Sequence, residues 1–376
     1  MTWHGIEGHD NVVEKLRRAV ARNRLASSFL FCGPAGVGKR TFALRFAQAL
    51  LCQREKGVRH HLPERPGGCF AQMVPDTFLP LDPCNTCPSC AMALAGTHPD
   101  IEVVAKPEDK ASLPLALFLG EDEHRGREGL CHWISLKPFM GGRRIAIIDD
   151  ADFLSPVGHD EAANCLLKTL EEPPPQSLLV LIGTSPARQL PTIRSRCQLV
   201  RFRPLPEETV ARLLVSKALV TDKAEAARLA RFSEGSLQRA YELADADLWS
   251  CRRTLLEKLS AETLDSAGLA KTISAFIDEA GKEAPARRAR FRQVVSFAGD
   301  FYRRLLHVRS DLPLPTDPEL RAPLEAAAQR FRGDAMVAAA CLERCLEALG
   351  QIDRNANQAT LIEAWLDDLA TETTRA

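Results

Sequence analysis

The stretch that decides the fold covers residues 166–201 and reads LLKTLEEPPPQSLLVLIGTSPARQLPTIRSRCQLVR. A helical pattern up to Glu172 is stopped by three prolines, and buried-type strands follow at residues 178–182 and 198–202. Between these strands, the tripeptide Ser195-Arg196-Cys197 places an arginine at the end of a strand unit. An arginine there can serve a phosphate site on a neighbouring subunit, so the pattern favours one member of a ring.

A phosphate-binding loop lies far upstream of this stretch. Residues 28–32 form a short apolar run, the loop GPAGVGK follows at residues 33–39, and apolar residues then recur at helical spacing to residue 51. A G-x-x-x-x-G-K loop between a strand and a helix cradles phosphate with backbone N–H groups, while its lysine reaches the outer phosphates. Gly33, Gly36, Gly38 and Lys39 fit this pattern, and the alternative is a glycine turn without a ligand.

The position after the loop lysine departs from the pattern. A serine or threonine hydroxyl is expected there to hold Mg²⁺, but the residue is Arg40. Thr41 is a poor substitute because one step along a helix turns the side chain by about 100°. We therefore expect a loop of the right shape with weakened Mg²⁺ chemistry.

The acidic end of another buried-type strand, at residues 143–150, gives a similar indication. Asp149 occupies the position that reaches Mg²⁺, and Asp150 stands where a hydrolase needs a glutamate to position water. Aspartate is one methylene shorter, and a misplacement of about 1 Å can cost on the order of 100-fold in rate. The alternative is that Asp149, Asp150 and Asp152 only cap the following segment.

The order of these elements predicts an α/β fold, because strands that alternate with helices form a parallel sheet covered on both faces. Residues 53–83 have no steady period and look like an irregular insertion, and residues 105–130 form a polar connection, partly helical from Glu121. The strand signal ends after Pro206. A small helical segment then covers residues 207–243, and the rest of the chain is nearly all amphipathic helix.

Bulk composition limits the class of protein. The 376 residues suggest two or three domains, and 49 basic residues balance 49 acidic ones. Zero net charge argues against binding nucleic acid through bulk electrostatics. No run approaches the roughly 18 apolar residues of a membrane span, and the N-terminus lacks the plan of a signal peptide. We therefore expect a cytoplasmic protein.

Twelve cysteines in such a chain indicate reduced thiols or metal ligands rather than disulfides. Cys84, Cys87 and Cys90 supply three thiolates at close spacing, whereas Zn²⁺ in a closed structural site takes four ligands. Cys69 in the irregular insertion is one candidate for the fourth, and His60 and His61 are weaker ones. Coincidence and redox chemistry are the alternatives to a metal.

At this point the sequence resembles the clamp-loader branch of the AAA+ proteins. The resemblance covers more than half of the chain, residues 3 to about 203, and its C-terminal third is similar only in being helical. The segments that carry it are WHGIEGHDNVVEKLRRAV (3–20), FLFCGPAGVGKRTFALRFAQALLC (29–52), CNTCPSCAMALAGTHPD (84–100), RRIAIIDDAD (143–152), EAANCLLKTLEEPP (161–174) and LPTIRSRCQ (190–198).

The resemblance implies a domain plan. Residues 1–205 would form an AAA+ P-loop domain with an inserted zinc module at about 52–90. Residues 206–246 would form a small helical lid, and residues 247–376 an all-α collar that joins subunits into an open pentameric ring. Its LLCQ match points to Cys52 as the fourth zinc ligand, in competition with Cys69.

The resemblance also implies roles for single residues. Arg196 would be the arginine finger that acts in trans on a neighbour's ATP, with a surface arginine paired in its own chain as the alternative. Thr184 stands at the sensor-1 position. The turn at residues 235–238 resembles sensor 2, but Gln238 holds the arginine position and Arg239 follows. The predicted nucleotide-site residues are Gly33, Gly36, Gly38, Lys39, Arg40, Thr41, Asp149, Asp150, Thr184 and Arg239.

Three departures, Arg40, Asp150 and Gln238, fall on the chain's own nucleotide site, whereas the finger motif is intact. This asymmetry favours the family's stator, a subunit with absent or weak ATPase, and leaves open whether its own site binds ATP and Mg²⁺. Expected partners are gamma/tau-type and delta-type subunits of a hetero-pentamer within the DNA polymerase III holoenzyme, and through them the sliding clamp and primed DNA. The alternatives are an active clamp-loader motor ATPase and a zinc-dependent nucleic-acid-binding module.

Overall fold

The structure is a computed structural model that describes residues 3–53, 81–107, 110, 112–140, 142–154, 161–310, 318–330 and 335–374. Most of the predicted irregular insertion, with His60, His61 and Cys69, lies outside these residues. The chain divides into two compact units, Met1–Ala244 and Asp245–Ala376.

The first unit is built on a sheet that contains, within the described residues, five parallel strands in the order β2-β3-β4-β1-β5. The predicted parallel α/β sheet is therefore confirmed. The strands are β1 (Ser28–Cys32), β2 (Ile101–Val104), β3 (Arg144–Ile148), β4 (Ser177–Gly183) and β5 (Gln198–Arg201).

Helices connect these strands and continue beyond them. Short 3-10 turns at Asp122–His124, Ala151–Phe153 and Pro186–Arg188 complete the unit. The α-helices are α1 (Asp10–Ala21), α2 (Lys39–Leu51), α3 (Pro88–Ala95), α4 (Ala116–Leu119), α5 (Gly129–Ser135), α6 (Glu161–Glu171), α7 (Pro191–Arg194), α8 (Glu207–Ser216), α9 (Lys223–Phe232) and α10 (Leu237–Glu242).

Both faces of the sheet are buried, as its near-continuous apolar strands require. Successive β1 side chains alternate between two cores. Phe29 and Phe31 join the cluster that includes Phe42 and Phe46 of α2. Leu30 and Cys32 join the cluster on the other face, which includes side chains from α5 and α6.

The parallel arrangement brings the chemically important residues to one edge. Gly33 follows β1, Asp149 follows β3, and Thr184 follows β4. In open parallel sheets, ligands bind outside the carboxyl ends of the strands, where these three residues lie.

The helices after Pro206 cover this edge. Helices α8, α9 and α10 pack together where the sequence predicts a small helical segment. The amide of Leu237, at the start of α10, donates to the carbonyl of Gly36 at 3.1 Å. The phosphate loop is thus closed on one side by this small helical layer.

In its described residues the second unit consists of helices and short connecting turns, as predicted. Buried aromatic side chains such as Phe291, Tyr302 and Trp365 fill its centre. None of the helices described in either unit is long and apolar enough to cross a lipid bilayer. The helices of this unit are α11 (Ala246–Leu259), α12 (Ser266–Asp278), α13 (Ala284–Arg309), α14 (Pro318–Arg330), α15 (Ala335–Asp353) and α16 (Gln358–Thr374).

Candidate functional site

The phosphate loop folds tightly between β1 and α2. Gly36 and Gly38 have φ angles of 72° and 93°, in the left-handed region that favours glycine. Lys39 is 7% exposed, and its Nζ donates to the carbonyls of Gly33 and Pro34 at 2.7 and 2.6 Å. Burial lowers the pKa of Lys39, although the nearby aspartates oppose this effect. The ammonium of Lys39 is thus held inside the loop, next to the place where a bound phosphate would lie.

A cleft of about 590 Å³ opens over this loop. Most of the predicted nucleotide-site residues line it. Gly33, whose carbonyl accepts from Lys39, and Arg239 are the two that do not line it. The lining residues are Ala35, Gly36, Gly38, Lys39, Arg40, Thr41, Asp149, Asp150, Asp152, Ile182, Gly183, Thr184, Leu219, Leu237, Gln238 and Tyr241.

Arg40 occupies the part of the cleft where a loop of this type holds Mg²⁺. Its Nε lies 3.6 Å from Oδ2 of Asp149, the carboxylate expected to reach the metal. A guanidinium carries a fixed positive charge and has no acceptor, so it can neither ligate nor tolerate a close divalent cation. The residues present therefore do not fit Mg²⁺, whereas the loop backbone and Lys39 fit the phosphates of a nucleotide.

Asp150 differs from its acidic neighbour in conformation and charge. It has a φ of 56°, an uncommon value for a residue with a side chain. Burial and the nearby Asp149 raise the pKa of Asp150. The positive charges of Lys106 and Arg40 oppose this shift.

Asp152 links the acidic strand end to the end of β4. Its Oδ2 accepts from the amide and the hydroxyl of Thr184, at 2.7 and 2.5 Å, and its Oδ1 accepts from the Gln189 side chain at 2.8 Å. The hydroxyl of Thr184, at the predicted sensor position, is thus bound to a carboxylate of its own chain. The sequence indicates neither this role of Asp152 nor that of Gln189, because both depend on the packing of distant segments.

The turn before α10 approaches the loop closely. A Cβ added at Gly36 would meet Ser236 Oγ at 2.2 Å and the Cβ of Gln238 at 2.6 Å, so glycine is required there. Gln238 therefore faces the cleft. Arg239 instead pairs with Glu234 through its Nη1 at 3.0 Å.

Arg196 lies just beyond α7, on the surface of the first unit. Its Nη1 donates to the carbonyl of Thr192 at 2.9 Å, and its Nη2 pairs with Oε1 of Glu171 at 2.5 Å. The two side chains are 32% and 50% exposed. Exposed ion pairs contribute about 0–1 kcal/mol, so this contact holds the guanidinium only weakly.

Four cysteines converge at the junction of α2 and α3. The Sγ atoms of Cys52, Cys84, Cys87 and Cys90 all lie within 4.8 Å of one another. Four thiolates at about 2.3 Å from a tetrahedral Zn²⁺ are about 3.8 Å apart, and Cys84 and Cys90 are 4.0 Å apart. The cluster could therefore hold a metal ion, and a closed Cys₄ set is typical of structural zinc.

Backbone amides around the cluster favour thiolates. The amides of Cys84, Cys87 and Cys90 donate to the Sγ atoms of Cys52, Cys84 and Cys87, at 3.3, 3.3 and 3.4 Å. Hydrogen bonds with Thr86, and then with Cys87, lower the pKa of Cys84 to about 5. The thiolate, which is the metal-binding form, is thus favoured at Cys84, whereas burial raises the pKa of Cys90 to about 12.

A buried network of hydrogen bonds lies next to the four-cysteine cluster. Ser89, in α3, donates its hydroxyl to the carbonyl of Leu51 at 2.8 Å, and its Oγ lies 2.9 Å from Nε2 of His98. The amide of Asp100 donates to the other ring nitrogen of His98 at 3.0 Å. Leu51 precedes Cys52, so these bonds fix the ends of both helices that carry ligands.

Comparison with known proteins places these features in a family. Residues 8–64 and 69–206 match the family described as "DNA polymerase III, delta subunit". "DNA polymerase III subunit delta'" of Pseudomonas aeruginosa is 32% identical over 255 residues, 67% of this chain and 66% of that protein. The protein of the same name in Escherichia coli is 30% identical, over 73% of this chain and 70% of that protein. "DNA polymerase III subunit tau" of Bacillus subtilis is 26% identical, over 65% of this chain and 37% of its own length.

Proposed function

Because the chain belongs to the family of delta-prime subunits of the DNA polymerase III clamp loader, we propose that it acts as the stator of that complex. In this role it supplies Arg196 in trans to the ATP site of a neighbouring subunit. It does not hydrolyse ATP at its own cleft.

The observation that carries this proposal is the contrast between the two arginines. Arg40 lies in the chain's own cleft, paired with the carboxylate that would bind Mg²⁺. Arg196 lies on the surface, held by the exposed carboxylate of Glu171, the Thr192 carbonyl and the Ser195 hydroxyl. Arg40 thus weakens ATP hydrolysis in the chain's own cleft, and Arg196 is free of the core and can reach the ATP site of a neighbouring protomer.

The chemistry of an arginine in trans is electrostatic. A guanidinium that approaches a γ-phosphate neutralises the charge that develops during phosphoryl transfer, and such an arginine contributes 10³–10⁵ in rate. Arg196 must leave Glu171 to do so. That step costs about 1 kcal/mol or less because the pair is exposed.

The remaining features give the subunit its architecture. We assign a structural Zn²⁺ to the four cysteines, where it would hold α3 against the end of α2. The helical second unit would join motor subunits of the gamma/tau type and a delta-type subunit in a pentameric ring. This ring would open the sliding clamp and close it on primed DNA.

A reconstituted complex tests the proposal. We expect Arg196→Ala to lower ATP turnover at the served site by at least roughly 1,000-fold, without loss of assembly. Arg194→Ala is the matched control, because Arg194 is an exposed arginine at the end of α7, two residues before Arg196. Wild-type turnover in the Arg196→Ala complex would overturn the assignment.

A motor ATPase is the second candidate function, and the similarity to the tau subunit favours it. If the chain were such a motor, the isolated chain would hydrolyse ATP, and the Lys39→Ala variant would lose this activity. The Arg40–Asp149 pair supports the opposite expectation, namely that the purified chain does not turn over ATP at a measurable rate.

A further inference from the structure

We propose that the cleft over the phosphate loop binds a nucleoside di- or triphosphate without a divalent cation, with the Arg40 guanidinium in the place of Mg²⁺. This inference goes beyond the proposed function, which requires only that Arg196 reach a neighbour. To the phosphate fit of the loop it adds that Arg40, paired with Asp149, excludes Mg²⁺ from this cleft and takes over its charge.

The shape of the cleft suits a ligand with one anionic and one apolar end. The side formed by the loop carries Lys39 and Arg40 together with backbone amides at the start of α2. The opposite side presents Leu219, Leu237 and Tyr241, whose ring is 57% exposed and can stack on a base. The volume of about 590 Å³ lies within the usual range for small-molecule sites.

The charges in the cleft fit a polyphosphate better than they fit a metal complex. A phosphate next to Asp149 needs a cation between them, and Mg²⁺ has this role in loops with a serine or threonine after the lysine. Arg40 already lies 3.6 Å from Asp149. Its planar guanidinium has five N–H donors, so it can bind a carboxylate with one edge and a phosphate with another.

The other polar groups of the cleft agree with this arrangement. Lys39 donates to two carbonyls and, as an ammonium with three N–H groups, keeps one for an anion. Asp152 is bound to Thr184 and Gln189, which removes it as a ready metal ligand. The ligand thus meets cations from the protein where other loops supply a metal.

Calorimetric titration of the purified full-length chain with ATP and with ADP tests the inference. Each titration is run in excess chelator and again in excess MgCl₂. We expect dissociation constants that agree within about threefold in the two media. Arg40→Thr should weaken binding in chelator by on the order of tenfold or more, and added Mg²⁺ should restore it because the hydroxyl returns.

Two variants sharpen the test. Arg40→Lys keeps the positive charge and should bind without metal. Arg45→Thr is the matched control, because Arg45 lies on the same helix, outside the lining, and contacts Gln48. Arg40 is 58% exposed, so its replacement should leave the fold intact, as thermal unfolding would verify.

Three results would overturn the inference. They are no binding of either nucleotide in either medium, binding to the wild type only when Mg²⁺ is present, and an Arg40→Thr variant that binds nucleotide in chelator as tightly as the wild type does. None of them bears on ATP turnover in the complex, which reports on Arg196. Failure of this inference is therefore distinguishable from failure of the proposed function.

Discussion

The guanidinium of Arg196 lies 2.5 Å from the carboxylate of Glu171, across the gap between the end of α6 and the end of α7. Glu171 is the last residue of α6, Arg196 lies two residues beyond the end of α7, and both side chains are partly exposed. The pair gives the arginine a defined resting position in the isolated chain. Because the bond is exposed, a neighbour's triphosphate, with more negative charge than one carboxylate, can compete for the guanidinium.

The first prediction concerns Glu171→Gln. The change removes the negative charge and keeps the shape, so the free energy of unfolding should change by less than about 1 kcal/mol. ATP turnover of the reconstituted complex should stay at the wild-type level or rise, because Arg196 is released more easily. Urea denaturation of the chain and steady-state ATP hydrolysis by the complex measure the two quantities.

Glu172→Gln is the control for this experiment, since Glu172 is the exposed neighbour one residue along. If Glu171→Gln lowered turnover as much as Arg196→Ala, Glu171 would belong to the served ATP site rather than to the resting state of the chain.

The second prediction concerns the four-cysteine cluster. The purified chain should carry one Zn²⁺, and Cys52→Ser or Cys87→Ser should lower the bound zinc and abolish the thiolate-to-metal absorption of a Co²⁺-substituted sample. Removing the metal should lower the free energy of unfolding by about 4 kcal/mol or more, because binding a thousandfold above the dissociation constant contributes that amount.

Cys131→Ser serves as the control, since this half-buried cysteine is separate from the cluster. An unchanged zinc content and Co²⁺ spectrum in Cys52→Ser would mean that another residue completes the site. Cys69, which lies outside the described residues, would then be the candidate to replace next.

The sequence predicts the elements whose own residues carry a strong pattern. The loop at residues 33–39 follows an apolar run and precedes helical spacing, and both flanking elements form as expected. Strand β2 is missed because it has four residues, lies at the sheet edge and buries only Val104 fully. Helix α3 is also missed, since its Cys87 cap and Pro88 lie within a motif that reads as metal ligands.

Some parts of the candidate site can likewise be predicted from the sequence, and others cannot. Loop glycines and Lys39 belong to one local motif, so their proximity follows from the sequence. The partners of Arg196 and Thr184 do not, because Glu171 and Asp152 lie 25 and 32 residues away in the chain and meet them only through packing. Sequence reasoning names Asp152 only in the alternative that the acidic residues cap the following segment, and the structure adds its bonds to Thr184.

The third prediction concerns Asp152→Ala. The change removes the acceptor for two donors of Thr184 and for the side chain of Gln189, which is only 4% exposed. A buried polar group left without a partner is costly, so the free energy of unfolding should fall by about 2–4 kcal/mol. Because Gln189 directly precedes the segment that carries Arg196, ATP turnover of the complex should fall as well.

Asp152→Asn should have a smaller effect, because the amide keeps one acceptor oxygen. Asp122→Ala, at a fully exposed carboxylate, is the control for losing a negative charge and should change stability by less than about 0.5 kcal/mol. Equal stability of Asp152→Ala and the wild type would show that the Thr184 and Gln189 bonds contribute nothing net.

The last prediction concerns the network beneath the cysteine cluster, which requires a neutral His98. The hydroxyl of Ser89 donates to Leu51, so its oxygen must accept from Nε2–H of His98. The other ring nitrogen accepts from the amide of Asp100, and a second proton there would set two donors against each other. Burial, opposed by the Asp100 carboxylate, lowers the pKa of His98.

Stability should therefore depend on pH with a definite sign. The unfolded chain binds a proton at His98 near the ordinary pKa of 6.5, whereas the folded chain resists it, so the stabilisation is present above that pH and declines below it. We expect the urea concentration at the unfolding midpoint to decrease as the pH is lowered from 7.5 to 5.5. The decrease should be smaller in His98→Gln. It should not vanish, because the pKa of buried His9 is also lowered and His9 contributes to the same pH dependence. His124→Gln, at an exposed histidine, should reproduce the wild-type slope. A slope in His98→Gln as steep as in the wild type would show that the network tolerates an imidazolium, contrary to the donor and acceptor pattern at Ser89 and Asp100.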